Sequence, residues 1–156
     1  MVLFFRVLTR LFVLIIAYIL AVSAAIATIA AAIWGWQINY GDFAGQTPEQ
    51  EIFNIFAYGT IGLIAYASVL YTAAVPASVY GLVTEGLSWR SLTIHVLGGG
   101  AIALYLLLVA NTQTAEPPQQ DIIITLAAGF VAGFVYWLVA GRSAGNWRTS
   151  KRAAAN

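Results

Sequence analysis

Four long apolar runs, separated by short polar segments, dominate the sequence. They cover residues 11–33, 52–75, 92–110 and 122–140, and none of them contains Asp, Glu, Lys or Arg. A helix needs about 20 residues to cross a hydrocarbon core of about 30 Å, so each run is long enough to span a membrane. Barrel strands would alternate in polarity over about ten positions, and these runs do not. The pattern predicts an all-α integral membrane protein, a four-transmembrane-helix bundle.

The charged residues between the runs separate into two groups. All seven basic residues fall on one side of the predicted bundle: Arg6, Arg10, Arg90, Arg142, Arg148, Lys151 and Arg152. The other side holds five of the six acids: Asp42, Glu49, Glu51, Glu116 and Asp121. By the positive-inside rule both termini are cytoplasmic. We expect one membrane domain over residues 1–156, with a cytoplasmic tail at 141–156, in a bacterial inner membrane.

Local signals mark where two of the helices begin and where one is interrupted. Thr47-Pro48-Glu49-Gln50 has the form of a capping box with proline in the first turn, which predicts that helix two starts near Pro48. Asp121 is a candidate N-cap for helix four. Pro76 removes the amide donor for the Thr72 carbonyl, so we expect helix two to kink or end there.

Composition narrows the classes of function. Hydrophobic residues make up 61% and charged residues 8%, against about 25% charged residues in soluble domains. A net charge of +1 without a dense basic face gives no basis for nucleic-acid binding. Cysteine is absent and there is a single histidine, which argues against thiolate chemistry and metal sites. Because no catalytic constellation is recognisable, we expect neither enzymatic activity nor a cofactor.

His95 is the only histidine, and it falls near the start of the third run. A hydrogen bond to a neighbouring helix is the simpler interpretation. The alternative is a haem ligand at an interface between chains, because a six-coordinate haem needs a second axial ligand that this chain does not offer.

Small residues in the last two runs indicate close helix packing. Gly98 and Gly99 lie in the third run, and Gly129 and Gly133 form a GxxxG motif in the fourth. Such residues let two helix backbones approach closely in a membrane. They predict packing either within the bundle or against another protein or another copy of the chain.

A polar cluster is expected on the basic side of the bundle. Its members are Glu85, Trp89, Arg90, His95 and Arg142. An ion pair of Glu85 with Arg90 or Arg142 is one interpretation, and such a pair contributes little if it is exposed. Binding of a lipid phosphate or of a partner's acidic loop is the other.

The second run is rich in hydroxyl groups. Tyr58, Tyr66, Ser68 and Tyr71 are candidates to line a site for a quinone, a lipid or another amphipathic ligand. Hydrogen bonding between helices is the alternative, because a tyrosine hydroxyl inside a membrane needs a partner.

The closing stretch GFVAGFVYWLVAGRSAG, at residues 129–145, resembles the closing segment of small uncharacterised four-helix inner-membrane proteins of bacteria. By topology the chain is also similar to the small membrane subunit of tripartite carboxylate transporters, a fold-level analogy only. We expect a non-catalytic accessory or assembly subunit of a larger complex, with lipids and other subunits or a second copy as partners. The alternative is a transport component or an amphipathic-ligand-binding membrane protein.

Overall fold

The computed structural model describes residues 2–37, 47–111 and 118–145. Four helices, α1 (Val2–Gln37), α2 (Pro48–Leu87), α3 (Leu92–Ala110) and α4 (Gln119–Val139), are followed by a 3-10 turn at Gly141–Ser143. These ranges contain no strand. All four helices are long and apolar enough to cross a membrane. The prediction of an all-helical chain with four apolar, membrane-length helices is confirmed, and residues 146–156 of the predicted tail lie outside the described ranges.

The predicted capping box of α2 is present. The Thr47 side chain accepts a hydrogen bond from the Gln50 amide at 3.4 Å, and the Gln50 side chain accepts one from the Thr47 amide at 3.0 Å. The predicted cap of α4 is wrong, because Pro118 occupies the N-cap position and Asp121 lies inside the first turn. A carboxylate there still favours the helix through the positive end of its dipole.

Helix α2 does not end at Pro76. It continues as one helix to Leu87, with Pro76 in its interior. A proline removes one backbone hydrogen bond, and the turns that follow it are held by tertiary packing, since Gly81, Thr84 and Glu85 are all buried. The α2 helix is therefore 40 residues long, about 60 Å, and exceeds the predicted span at both ends.

Helix α4 occupies the centre of the bundle. It packs closely against both α1 and α3, whereas α2 contacts α1 and α3 more sparsely. Near the middle of the bundle, hydrogen bonds link α2 to α1: the Tyr18 hydroxyl donates to the Leu70 carbonyl at 2.5 Å, and the Ser23 and Tyr66 hydroxyls lie 3.0 Å apart. Helix α2 is thus a peripheral member of the bundle.

Glycines set the close approach of α3 and α4. A Cβ atom added to Gly133 would lie 2.9 Å from the Val96 Cα, and one added to Gly99 would lie 2.8 Å from the Gly133 Cα. A Cβ on Gly129 would meet that of Ala103 at 2.6 Å. Gly98, on another face of α3, leaves space for the Tyr80 ring of α2. The structure places these four glycines at contacts within the chain.

Burial is uneven along the bundle axis. We call the end that holds Arg10, Glu85 and the segment 140–145 the basic end, and the end near Pro48 and Gln119 the acidic end. The buried residues of the four helices lie at the middle of the bundle or nearer the basic end. In α2, for example, no residue before Ala73 is buried. The buried residues of the described helices are therefore concentrated in the middle and toward the basic end.

Candidate functional site

An ion pair between α1 and α2 anchors the basic end. The Arg10 guanidinium donates through Nε and Nη2 to Oε1 of Glu85, with 3.0 Å for the Nε contact. The two side chains are only 16% and 10% exposed. Removing charges from water is costly unless they are paired and hydrogen-bonded, and this pair meets both conditions.

The same ion pair holds the chain segment after α4, residues 140–145, which we call the terminal cap. Arg10 donates to the Ser143 hydroxyl at 2.8 Å and to the Ala140 carbonyl at 2.7 Å. The Glu85 carboxylate accepts a hydrogen bond from the Gly145 amide at 3.1 Å. Ala140, Gly141, Ala144 and Gly145 are buried. The terminal cap thus closes the basic end and links it to α1 and α2.

The predicted partners of Glu85 are wrong, since it pairs with Arg10 rather than with Arg90 or Arg142. Arg90 instead donates from Nε to the Ala144 carbonyl at 2.9 Å, and its own carbonyl accepts from the Trp137 indole at 2.8 Å. Arg142 is exposed. The physical reason is that the rotation of α1 and α2 about their axes, which charge spacing does not reveal, brings Arg10 to Glu85.

The two remaining members of the predicted polar cluster, Trp89 and His95, differ in their exposure. Trp89 is 40% exposed, whereas His95 is 1% exposed. His95 Nδ1 donates to the Ser91 carbonyl at 2.9 Å. Its ring stacks on Tyr136 with centroids 5.8 Å apart and meets Tyr80 edge-on at 5.9 Å.

The second ring nitrogen of His95 explains why position 141 of the terminal cap is glycine. Nε2 is buried and has no hydrogen-bond partner among the described residues, and a Cβ on Gly141 would lie 2.8 Å from it. The imidazole is therefore enclosed by the cap on one edge and by the Ser91 carbonyl on the other. Neither ring nitrogen is open to an iron atom in this conformation, and the geometry does not favour the haem interpretation.

An apolar cavity of about 490 Å³ lies between the four helices. Toward the basic end its lining includes Leu11, Gly81, His95 and Tyr136, one residue from each helix. The exposure of Leu11 and Leu82 shows that the cavity reaches the surface there. The volume lies within the range of about 300–1,000 Å³ typical of small-molecule sites, which are mostly apolar with a few polar groups.

The cavity is elongated along the bundle. Its lining extends along α1 from Leu11 to Ile29 and along α3 from His95 to Leu107, about 27 Å and about 18 Å at a rise of about 1.5 Å per residue. On α2 the lining residues Val69, Ala73 and Ala77 follow each other at intervals of four. Nearer the basic end the α2 lining widens to include Tyr80, Gly81 and Leu82.

The hydroxyl-bearing residues predicted to line a ligand site do not border this cavity. Tyr58 and Tyr71 are 68% and 84% exposed, Ser68 donates back to the Ile64 carbonyl, and Tyr66 contacts Ser23. Ser68 and Tyr71 lie on other faces of α2 than Ala73, whereas Tyr66 shares the face of Ala73 but lies beyond Val69, where the α2 lining begins. The prediction followed polarity, whereas the cavity borders the small apolar face, and the four-residue spacing of those residues is the signal that would have identified it.

Comparison of the chain with protein-family models, with curated proteins and with solved structures finds no match.

Proposed function

We propose that this protein is a non-catalytic membrane protein that holds an amphipathic, lipid-like molecule inside its helix bundle. The four helices cross a bacterial inner membrane with both termini on the cytoplasmic side, as the restriction of all basic residues to one side favours. In this orientation the terminal cap faces the cytoplasm and the acidic end faces outward.

The observation that carries the proposal is the cavity of about 490 Å³ bordered by all four helices. Protein interiors pack as densely as organic crystals, and voids larger than a water molecule are few. A hydrocarbon group bound in a space of this size would make dispersion contacts with its apolar lining.

The test uses palmitate that carries a fluorescent group at its carboxylate end, added to the purified protein in mild detergent. Ala73→Phe places a large side chain in the cavity, because Ala73 is buried and lines it. Ala67→Phe is the matched control, since Ala67 is exposed on the same helix. We expect at least tenfold weaker binding for Ala73→Phe and no change for Ala67→Phe. Equal binding by a folded Ala73→Phe variant would contradict the proposal.

A second candidate, an accessory or assembly subunit of a larger complex, is favoured by the outer part of α2. Between Pro48 and Ala65 no residue is buried, and large apolar side chains such as Phe53, Phe56 and Leu63 are about 70% exposed. Lipid alone can cover such a surface, so the surface supports this function less strongly than the cavity supports ligand binding.

Purification of a tagged chain from its native membrane separates the two functions. A stoichiometric protein partner that is lost when Phe53 and Phe56 are replaced by alanine would support the subunit role. A ligand-bearing chain without a stoichiometric partner would leave ligand binding as the function. Replacement of Phe53 and Phe56 leaves the cavity intact, because neither residue lines it.

A further inference from the structure

Resting on the proposed function, we infer that the ligand is an anionic lipid of the membrane leaflet on the basic side. One of its acyl chains enters the cavity sideways, between α1 and α2, while the head group stays at the membrane surface beside the basic end. Three features of the described residues support this inference: the position of the exposed cavity lining, the polar contacts on either side of it, and the charge of the basic end.

The cavity lining is exposed on two helices only. Its exposed members are Leu11 and Ile15 of α1 and Ser78 and Leu82 of α2, which we call the lateral portal. Every lining residue of α3 and α4 is buried or half-buried, and no residue of the terminal cap lines the cavity. The cavity therefore reaches the surface between α1 and α2, on a side of the bundle that faces the acyl chains of a bilayer.

Polar contacts between α1 and α2 lie on either side of the lateral portal. Toward the basic end, Arg10 pairs with Glu85, and toward the middle of the bundle the Tyr18 hydroxyl donates to the Leu70 carbonyl. The portal residues of both helices lie between these two contacts. From Arg10 to Tyr18 the gap measures about 12 Å along α1, which exceeds the separation of about 4 Å between carbon atoms in contact. An acyl chain can therefore lie between the two contacts without breaking either.

The lateral portal lies where the hydrocarbon layer begins on the basic side. Leu11 is the first residue of the first uncharged apolar run and directly follows Arg10, and Leu82 lies one turn before Glu85 in α2. A chain that passes through the portal thus starts in the apolar part of the leaflet, with its head group level with the ion pair. Because the opening is lateral, a lipid with two chains can insert one and leave the other in the bilayer.

Ser78 provides a hydrogen-bonding group at the rim of the portal. The hydroxyls of Ser68 and Thr72 on the same helix donate to carbonyls one turn earlier. The Ser78 hydroxyl is exposed and has no hydrogen bond among the described residues, so it is available to donate to the ester carbonyl of a lipid. Deeper in the cavity the Tyr80 hydroxyl already donates to the Ile94 carbonyl, which leaves that surface to the hydrocarbon chain.

The charge of the basic end favours an anionic head group. Arg10 and Glu85 neutralise each other, whereas Arg6 and Arg142 are exposed and have no ion partner among the described residues. Arginine binds phosphate through charge-assisted hydrogen bonds, and basic residues near a membrane surface attract anionic lipids. A phosphate-bearing head group beside the portal therefore meets an excess of positive charge.

The first test uses phosphatidylglycerol with a photoreactive diazirine at the methyl end of one chain, and the same lipid with the diazirine on its head group. The protein is reconstituted in phosphatidylcholine vesicles and irradiated, and the labelled residues are identified by mass spectrometry. We expect the chain probe to label Ala128, which lines the cavity and is only 2% exposed, and the head-group probe to label residues around Leu11. Head-group labelling around Pro48 or Gln119 would overturn the inference, since it would place the head group at the acidic end.

This test also separates the inference from the proposed function. Suppose that the chain probe does not label Ala128, although the labelled palmitate still binds and Ala73→Phe still weakens its binding. Lateral entry would then be wrong and the proposed function would stand. Absence both of palmitate binding and of label at Ala128 would refute both.

A bulky side chain at the rim tests the portal itself. Ser78→Trp narrows it, and Val79→Trp is the matched control, because Val79 is exposed but does not line the cavity. We expect Ser78→Trp to lose most of the chain-probe label at Ala128 and Val79→Trp to keep it. Leu82→Trp, one turn further along the same rim, should lose it as well. Full labelling of folded Ser78→Trp and Leu82→Trp proteins would overturn lateral entry.

The last test compares the chain probe of phosphatidylglycerol with the corresponding probe of phosphatidylcholine. We expect a preference for phosphatidylglycerol that falls by about fivefold for each of the substitutions Arg6→Gln and Arg142→Gln. Glu49→Gln is the control, because Glu49 is exposed at the acidic end, and it should leave the preference unchanged. Equal labelling of the unaltered chain by the two lipids would overturn the assignment of an anionic head group.

Discussion

Arg10 and Glu85 form an ion pair in which each residue is also hydrogen-bonded to the terminal cap. Arg10 binds a carboxylate, a hydroxyl and a backbone carbonyl, and Glu85 also accepts a backbone amide. Removal of one partner from a buried ion pair leaves an uncompensated charge, which is usually more harmful than removal of both. The pair is therefore a structural element whose two halves depend on each other.

We predict that Arg10→Met lowers the free energy of unfolding by about 3 kcal/mol and that Glu85→Met has a similar effect, whereas the double variant loses less than the sum of the two. Thermal unfolding in detergent measures this coupling. Arg6→Met is the control, because Arg6 is exposed on the same helix and should be neutral. Additive effects of the two substitutions would show that the pair is not coupled.

Gly141 is the residue on which the closure around His95 depends. Because an added Cβ would lie 2.8 Å from His95 Nε2 and 2.9 Å from Cδ2, we predict that Gly141→Ala destabilises the protein by about 2 kcal/mol, the usual size of an overpacking effect. Gly62→Ala is the comparison, since a Cβ there meets nothing within 4 Å. It should be neutral or stabilise α2 slightly. Equal melting temperatures for the two variants would contradict this account.

At the scale of the elements, the pairing of α3 with α4 depends on backbone proximity. Gly133→Leu would insert a branched side chain where the His95 carbonyl and the Val96 Cα now lie against the glycine. We predict a loss of about 3 kcal/mol and a smaller folded fraction in size-exclusion chromatography. Gly59→Leu on α2, where no neighbour lies within 4 Å, should elute as the unchanged protein does. A folded Gly133→Leu protein of unchanged stability would refute the contact.

Sequence patterns predicted the helices better than their contacts. The apolar runs and the Thr47 capping box located four helices, and the bounds of α3 were predicted without error. Of the two expected outcomes at Pro76, an end of the helix is wrong, because the packing of later turns around Glu85 outweighs one lost hydrogen bond. Helical periodicity in nearly uniform apolar runs does not fix which face turns inward. For that reason neither the pairing with Arg10 nor the cavity face at Ala73 was predicted.

At the scale of the whole molecule, buried contacts are concentrated in the middle and toward the basic end of the bundle. The terminal cap and the ion pair belong to the basic end, and the glycine contacts of α3 with α4 reach the middle of both helices. The turns of α2 before Ala73 contain no buried residue. The fold of the described residues therefore depends mainly on contacts at the middle and the basic end.

The orientation of this asymmetric bundle in the membrane is the last prediction. Because the native chain lacks cysteine, Glu49→Cys at the acidic end and Leu87→Cys at the basic end, both at exposed positions, can each be labelled alone. In spheroplasts we expect a membrane-impermeant maleimide to modify Glu49→Cys at once and Leu87→Cys only after lysis, since basic segments remain cytoplasmic. The unaltered chain reports background labelling. Modification of Leu87→Cys before lysis would show that the topology is reversed.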